Sequence, residues 1–163
     1  MHCEIRNIKP EDDKHICHII KTVGAEFGAI GDGFGPSDEE VECMSQYYKE
    51  ADNALYLVAV KDNQLIGGGG IAAFHKSTTI CELRKLFLLP ESRGLGIGKK
   101  LTKLCLEYAQ SRQYQQCYLD TLSNMKPAIT LYKRFGFRHL QEPLNETIHS
   151  GCDVWMLKEL REP

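Results

Sequence analysis

Leu83-Arg84-Lys85-Leu86-Phe87-Leu88-Leu89-Pro90-Glu91-Ser92-Arg93-Gly94-Leu95-Gly96-Ile97-Gly98-Lys99-Lys100 is the stretch that decides how this chain is read. An apolar run ends at Pro90, a glycine-rich loop follows, and the loop opens into a helical pattern. Ile97, Leu101, Leu104, Cys105 and Tyr108 share one face of that helix. The expectation is therefore strand, sharp turn, loop and helix. Such a loop leaves backbone N–H groups without helical partners at the positive end of the helix dipole, which suits a phosphate or pyrophosphate.

Two phosphate loops fail against these residues. A P-loop ending at Gly98-Lys99 needs glycine at position 93 and Ser or Thr at position 100; the chain has Arg93 and Lys100. A dinucleotide fingerprint begun at Gly94 and Gly96 needs its third glycine at position 99, which is Lys99.

The pattern that fits is Arg-x-x-Gly-x-Gly, formed by Arg93, Gly96 and Gly98. Downstream, after a helix and a strand, comes Ala128-Ile129-Thr130-Leu131-Tyr132-Lys133-Arg134-Phe135-Gly136-Phe137. In this order the two segments resemble the pyrophosphate loop and the A-x-x-L-Y-x-x-x-G-F segment of the GCN5-related N-acetyltransferase (GNAT) family. The resemblance is sharp from about Thr79 to Phe137 and looser elsewhere. It implies one N-acetyltransferase domain over residues 1–163, with a mostly antiparallel, splayed central sheet flanked by helices. It also implies acetyl-CoA as co-substrate, no metal, and direct acetyl transfer to a primary amine within a ternary complex. The acceptor is a small molecule or a protein or peptide amine, and family members often dimerise. A transferase using another acyl-CoA, and a CoA-binding sensor with little turnover, are the alternatives.

The resemblance also implies roles for residues. Gly94, Leu95, Gly96, Ile97, Gly98 and Lys99, with Arg93, would cradle the pyrophosphate, the glycines letting it approach the backbone. A backbone N–H near Phe87 or Leu88 would face the thioester carbonyl. Tyr132 matches the tyrosine that protonates the departing thiolate, and its place on an apolar stripe also suits a core residue. Glu82 stands where some members carry a general base, although an ion pair with Arg84 would explain it equally. The family often has Asn three residues before the alanine of the second segment. That position is Met125, so Asn124 is expected either to contact the pantetheine arm or to cap the helix.

Working outward, 163 residues suit one domain with a core that needs no staples. A net charge of −2 supplies no field for nucleic acid or an anionic membrane. No apolar run reaches membrane-spanning length and the N-terminus lacks signal-peptide form, so a cytoplasmic location is expected by default. Seven scattered cysteines without a C-x-x-C pair predict neither a disulfide framework nor zinc.

Before the decisive stretch, a strand is expected over 4–8 and a helix after Pro10 with Ile16, Ile19, Ile20 and Val23 on one face. A glycine-rich loop follows over 28–36, then a capping box at Ser37-Asp38-Glu39-Glu40 opening a second helix. Strands are expected over 54–60, 65–74 and 81–89, the middle one weakened by Gly67 to Gly70. After the loop helix come a strand over 116–121, a helix with Met125, Ala128, Ile129, Tyr132 and Phe135 on its stripe, and a strand over 153–160. This order makes a mixed α+β sheet. His15 and His18 read as a solvent-facing pair, and His149 as a second candidate for base or acceptor contact. Asp32, Asp38, Glu39, Glu40 and Glu42 read as solvated charge at a helix start, or else as attraction for a cationic acceptor.

Overall fold

The computed structural model describes residues 3–144 and 149–161. Ten regular elements follow in order: β1 (Cys3–Asn7), α1 (Asp13–Glu26), β2 (Leu55–Lys61), β3 (Gln64–Ala73), β4 (Ile80–Leu88), α2 (Ile97–Ser111), β5 (Gln116–Thr121), α3 (Lys126–Arg134), β6 (Arg138–Leu140) and β7 (Val154–Glu159). The strands form one sheet in the order β1-β2-β3-β4-β5-β7-β6. Every neighbouring pair is antiparallel except β4 and β5.

The alternation of β2 divides the core between the two faces of the sheet. Tyr56 and Val58 pack with the predicted α1 stripe of Ile16, Ile19, Ile20 and Val23. Leu57 and Ala59 join the cluster that holds Ile97, Leu101 and Cys105 of α2, together with Tyr132. One helix therefore covers each face, and α3 lies on the α2 side. Before α1, Pro10–Asp12 forms a short 3-10 turn, tightened when Asp12 accepts two hydrogen bonds from Arg6 and one from the Lys9 N–H.

The glycine run of β3 lies where neighbouring side chains leave no room. A Cβ on Gly68 would fall 2.7 Å from the Tyr56 ring and 2.8 Å from the Leu57 carbonyl oxygen; one on Gly70 would fall 2.6 Å from both Tyr56 and the Leu55 carbonyl oxygen. Tyr56 itself is fully buried and donates its hydroxyl to the Lys85 carbonyl at 2.8 Å. Gly68→Ala is accordingly expected to destabilise the fold by about 1–3 kcal/mol, the usual cost of overpacking. A urea midpoint equal to that of the unchanged protein would refute this account of the run.

Two features of β4 shape the centre of the molecule. Its register against β3 slips between Gly68↔Phe87 and Gly70↔Arg84, so Lys85 and Leu86 stand across from Gly69 alone. This is a β-bulge, and Lys85 occupies the left-handed region at φ 53°. On its other side β4 pairs with β5 only through Ile80↔Gln116, Cys81↔Cys117 and Glu82↔Tyr118. Beyond Glu82 the two strands part, while β5 stays paired with β7 as far as Thr121.

Two expectations are corrected. The segment after Pro36 is not an α-helix: Glu39–Gln46 is a 3-10 segment broken at Cys43 (φ −152°, ψ 59°), and Asp38 makes no side-chain cap. The acids expected to cap and solvate that helix are partly drawn into tertiary bonds. Asp38 binds Lys85 and His149, and Glu40 binds Tyr48 and Arg84. The other expectation amended is the strand count, since β6 was not foreseen: its three largely exposed residues carry too short a pattern to read.

Candidate active site

Three neighbouring cavities with lining residues in common lie along β4. The first, about 460 Å³, lies over the glycine loop between Phe87 and Leu88 of β4, Ile97 and Gly98 of α2, and Ala128 and Leu131 of α3. It shares Phe27, Leu86, Phe87 and Met125 with a narrow throat of about 70 Å³, which also meets Tyr132. The throat shares Glu82, Arg84 and His149 with a polar chamber of about 270 Å³ bounded by Asp38, Glu40 and the turn carrying His75 and Lys76.

The loop has the form expected of an anion cradle. Gly94 (φ 80°) and Gly96 (φ 79°) are left-handed, and a Cβ at either would meet only open space. The first bond of α2 runs from the Lys100 N–H to the Gly96 carbonyl. The N–H groups of residues 94–99 find no acceptor among the described residues. Arg93 is turned the other way: its guanidinium grips both carboxylate oxygens of Glu26 at 2.6 and 2.8 Å and donates to the Leu88 carbonyl. Arg93, Gly94, Gly96, Ile97, Gly98 and Lys99 line the first cavity, whereas Leu95 points outward and is 45% exposed.

Tyr132 is 6% exposed and sits at the wall of the throat, its ring edge-on to Phe137 at 5.8 Å. Burial pushes its phenol well above the ordinary tyrosine value, so it remains protonated at neutral pH. Asn124 donates its side-chain amide to the Phe27 carbonyl at 2.9 Å, tying the end of α1 to the start of α3. It does not cap α3, whose N-cap is Met125, and Met125 rather than Asn124 lines the first cavity and the throat.

Glu82 stands where β4 and β5 part. It is 6% exposed, and its Oε1 accepts a 2.8 Å bond from Arg84 Nε. Oε2 has no hydrogen-bond partner among the described residues. A Glu82 oxygen, an Asp120 oxygen and a His149 ring nitrogen lie within 4.8 Å of one another. His149 reaches Asp120 at 2.8 Å through Nδ1 and Asp38 at 2.6 Å through Nε2. Lys85 Nζ meets the same Asp38 oxygen at 2.7 Å. Burial alone would favour neutral imidazole, but the bonds to Asp120 and Asp38 outweigh it and raise the pKa to about 9. Each ring nitrogen faces a carboxylate oxygen, an arrangement satisfied at both ends only by the imidazolium, which donates from both nitrogens. Asp38 is held below the usual carboxylate range: burial pushes it up, and His149 and Lys85 pull it down further.

The family model described as Acetyltransferase (GNAT) family matches residues 28–137, spanning loop, gap and α3. The Escherichia coli (strain K12) protein named Uncharacterized N-acetyltransferase YjgM is 37% identical over 158 residues, covering 96% of this chain and 94% of its own length. The chain belongs to the GNAT acetyltransferase family. Its fold agrees with solved members. A Staphylococcus aureus GNAT acetyltransferase superposes with a TM-score of 0.82 at 17% identity over 98% of this chain and all of its own. PaiA N-acetyltransferase from Thermoplasma acidophilum, solved in complex with coenzyme A, gives 0.74 at 21% identity over 98% of this chain and 99% of its own.

Within a GNAT enzyme the residues missed by sequence reasoning are intelligible. Asp120 was the readable one, a lone acid inside the apolar strand Tyr118-Leu119-Asp120-Thr121. Lys85 gave no signal of its own, because only the bulge and the broken segment beyond Pro36 bring Asp38 to it, whereas the Glu82–Arg84 pair was among the expectations. His15 and His18 are exposed on α1, as expected. All seven cysteines are free. No helix among the described residues is long and apolar enough to cross a membrane.

Proposed function

We propose that residues 1–163 act as one acetyl-CoA-dependent N-acetyltransferase domain that moves the acetyl group directly to a primary amine in a ternary complex. The reading rests chiefly on the succession of cavities, with lining residues in common, from the unpaired N–H groups of residues 94–99, past Tyr132, to the chamber at Glu82. The first cavity fits the cofactor's two chemical halves. Bare amides of the loop take the pyrophosphate, with Lys99 adding charge, and the β4 edge at Phe87 and Leu88 offers backbone groups to the pantetheine amides. When bound there, acetyl-CoA supplies an activated acyl group whose transfer needs no covalent enzyme intermediate.

The remaining tasks fall to side chains already in place. A backbone N–H at Phe87 or Leu88 stabilises charge developing on the carbonyl oxygen. Tyr132, kept neutral by burial, donates its proton to the leaving sulfur. The amine enters from the chamber, where Asp38, Glu40 and Glu82 stand beside Lys76, Arg84 and His149. Glu82 takes the proton of an ammonium acceptor through Oε2, directly or through water.

Thiol release from acetyl-CoA, followed over a panel of amines, amino acids, polyamines and aminoglycosides, tests the reading. Amine-dependent release is expected; tight acetyl-CoA binding without any release would favour a sensor. With a turned-over amine in hand, Glu82→Gln is expected to lower the neutral-pH rate by about ten- to a thousandfold. Acetyl-CoA affinity should stay within about twofold. An unaltered rate would make Glu82 structural.

A further inference from the structure

Two loops close over the acceptor side of the gap, and neither belongs to the sheet. One runs from Gly28 to Asp38; the other precedes β7 and contains His149 to Cys152. They touch at four points. The Gly151 N–H donates to the Gly33 carbonyl at 2.8 Å. The Phe34 ring lies so close to Gly151 that a Cβ there would fall 2.5 Å from it, and a Cβ on Gly33 would fall 2.8 Å from Ser150 Oγ. Finally, His149 joins Asp38 of the first loop to Asp120 of β5. Phe34, Gly35 and Pro36 of the first loop, and His149 and Cys152 of the second, wall the throat.

We infer that His149 is a positioning residue for the acceptor: its imidazole, bonded to Asp38 through one nitrogen and to Asp120 through the other, latches the loop bearing Asp38 onto β5 and so forms the acceptor-side wall of the throat. The inference rests on the proposed transferase reading only for its kinetic arm. The geometry gives the ring a structural task that uses both nitrogens, which removes it from the candidates for general base. Neutral imidazole has one N–H, so it can donate to Asp120 or to Asp38 but not to both. Deprotonation therefore breaks one end of the latch.

The groups around the ring set the direction of the effect. Asp38 and Asp120 bond it, and Glu82 lies within the same cluster from β4. Arg84, Glu40, His75 and Lys76 complete the chamber that the ring borders, Lys85 shares Asp38 with it, and the Cys152 thiol, raised to about 12 by burial and Asp120, faces it from its own loop. The folded imidazole titrates above its unfolded value. The latch is thus complete below the unfolded pKa of 6.5 and is lost as pH rises through about 9.

The test uses the full chain with His149→Gln and, as a milder change, Asp38→Asn. In the unchanged protein, NMR of the imidazole nitrogens should show His149 titrating near pH 9, and the nuclear Overhauser contact between the Phe34 ring and Gly151 should weaken over the same range. Asp38→Asn should lower that pKa by about one unit or more, since a neutral amide no longer favours the charged ring. With the amine identified by the panel, each variant should raise its KM by about tenfold while acetyl-CoA affinity stays within about twofold. The double variant should fall well short of the product of the two single effects, because both changes cut the same bond. A His149 that titrates below pH 7, or a Phe34–Gly151 contact indifferent to its charge, overturns the latch. So does an unchanged acceptor KM in both variants. If the NMR results hold and no amine is turned over, the transferase reading fails and the latch stands.

Discussion

Tyr132→Phe is expected to slow acetyl transfer by roughly a hundredfold or more, the scale of a lost general acid. The substitution removes one oxygen and keeps the ring that packs against Phe137. Melting temperature and acetyl-CoA affinity should therefore stay close to those of the unchanged protein. Burial holds the phenol protonated well past neutrality, so Tyr132 should contribute no limb to the pH–rate profile anywhere between pH 5 and 9. Single-turnover kinetics separate this outcome from slow product release. A variant that turns over at nearly the original rate would reduce Tyr132 to a core residue, with solvent protonating the thiolate.

Gly96→Asp should weaken acetyl-CoA binding by at least about a hundredfold, or some 2.7 kcal/mol, because it sets a carboxylate among the N–H donors proposed to take the pyrophosphate. The surroundings make this a clean experiment. A Cβ at Gly96 meets nothing within 4 Å, so the fold has no steric reason to fail. The left-handed φ of 79° carries its own cost, and Gly96→Ala measures that cost without the charge. Alanine should retain most of the affinity and aspartate almost none in a calorimetric titration. Gly98 is a poorer site for the same test, since its Cβ would press on Leu88 at 3.2 Å and mix packing with electrostatics. Equal affinities for the Ala and Asp variants would remove the pyrophosphate from this loop.

What could be read in the sequence was whatever local rules determine. The α1 stripe of Ile16, Ile19, Ile20 and Val23, the loop with two left-handed glycines, and the strand–loop–helix order all follow from periodicity and backbone sterics within a few residues. Tyr132 at a wall of the gap came instead from the family resemblance, since its periodicity alone marked a core residue. The polar chamber was hidden for the opposite reason. Asp38, Lys85, Asp120 and His149 come from four separated places in the chain, and they meet because β4 bulges and parts from β5. Local chemistry even misled at Ser37 to Glu40, where four good helix-opening residues yield to ion pairs that only the folded sheet can offer. The Asn124 amide likewise went to a carbonyl 97 residues away.

The parting of β4 from β5 has one consequence for solubility. A strand edge with free amides normally lies on the outside of a sheet, where a second chain can add to it and begin aggregation. Here β4 turns such an edge inward. It opens midway through the sheet, at the floor of a crevice roofed by α2, α3 and the loop after α1. The covering helices and loop leave this edge no open flank along which a second chain could lie, so the same groups that the proposed function gives to a small molecule are sheltered from other proteins.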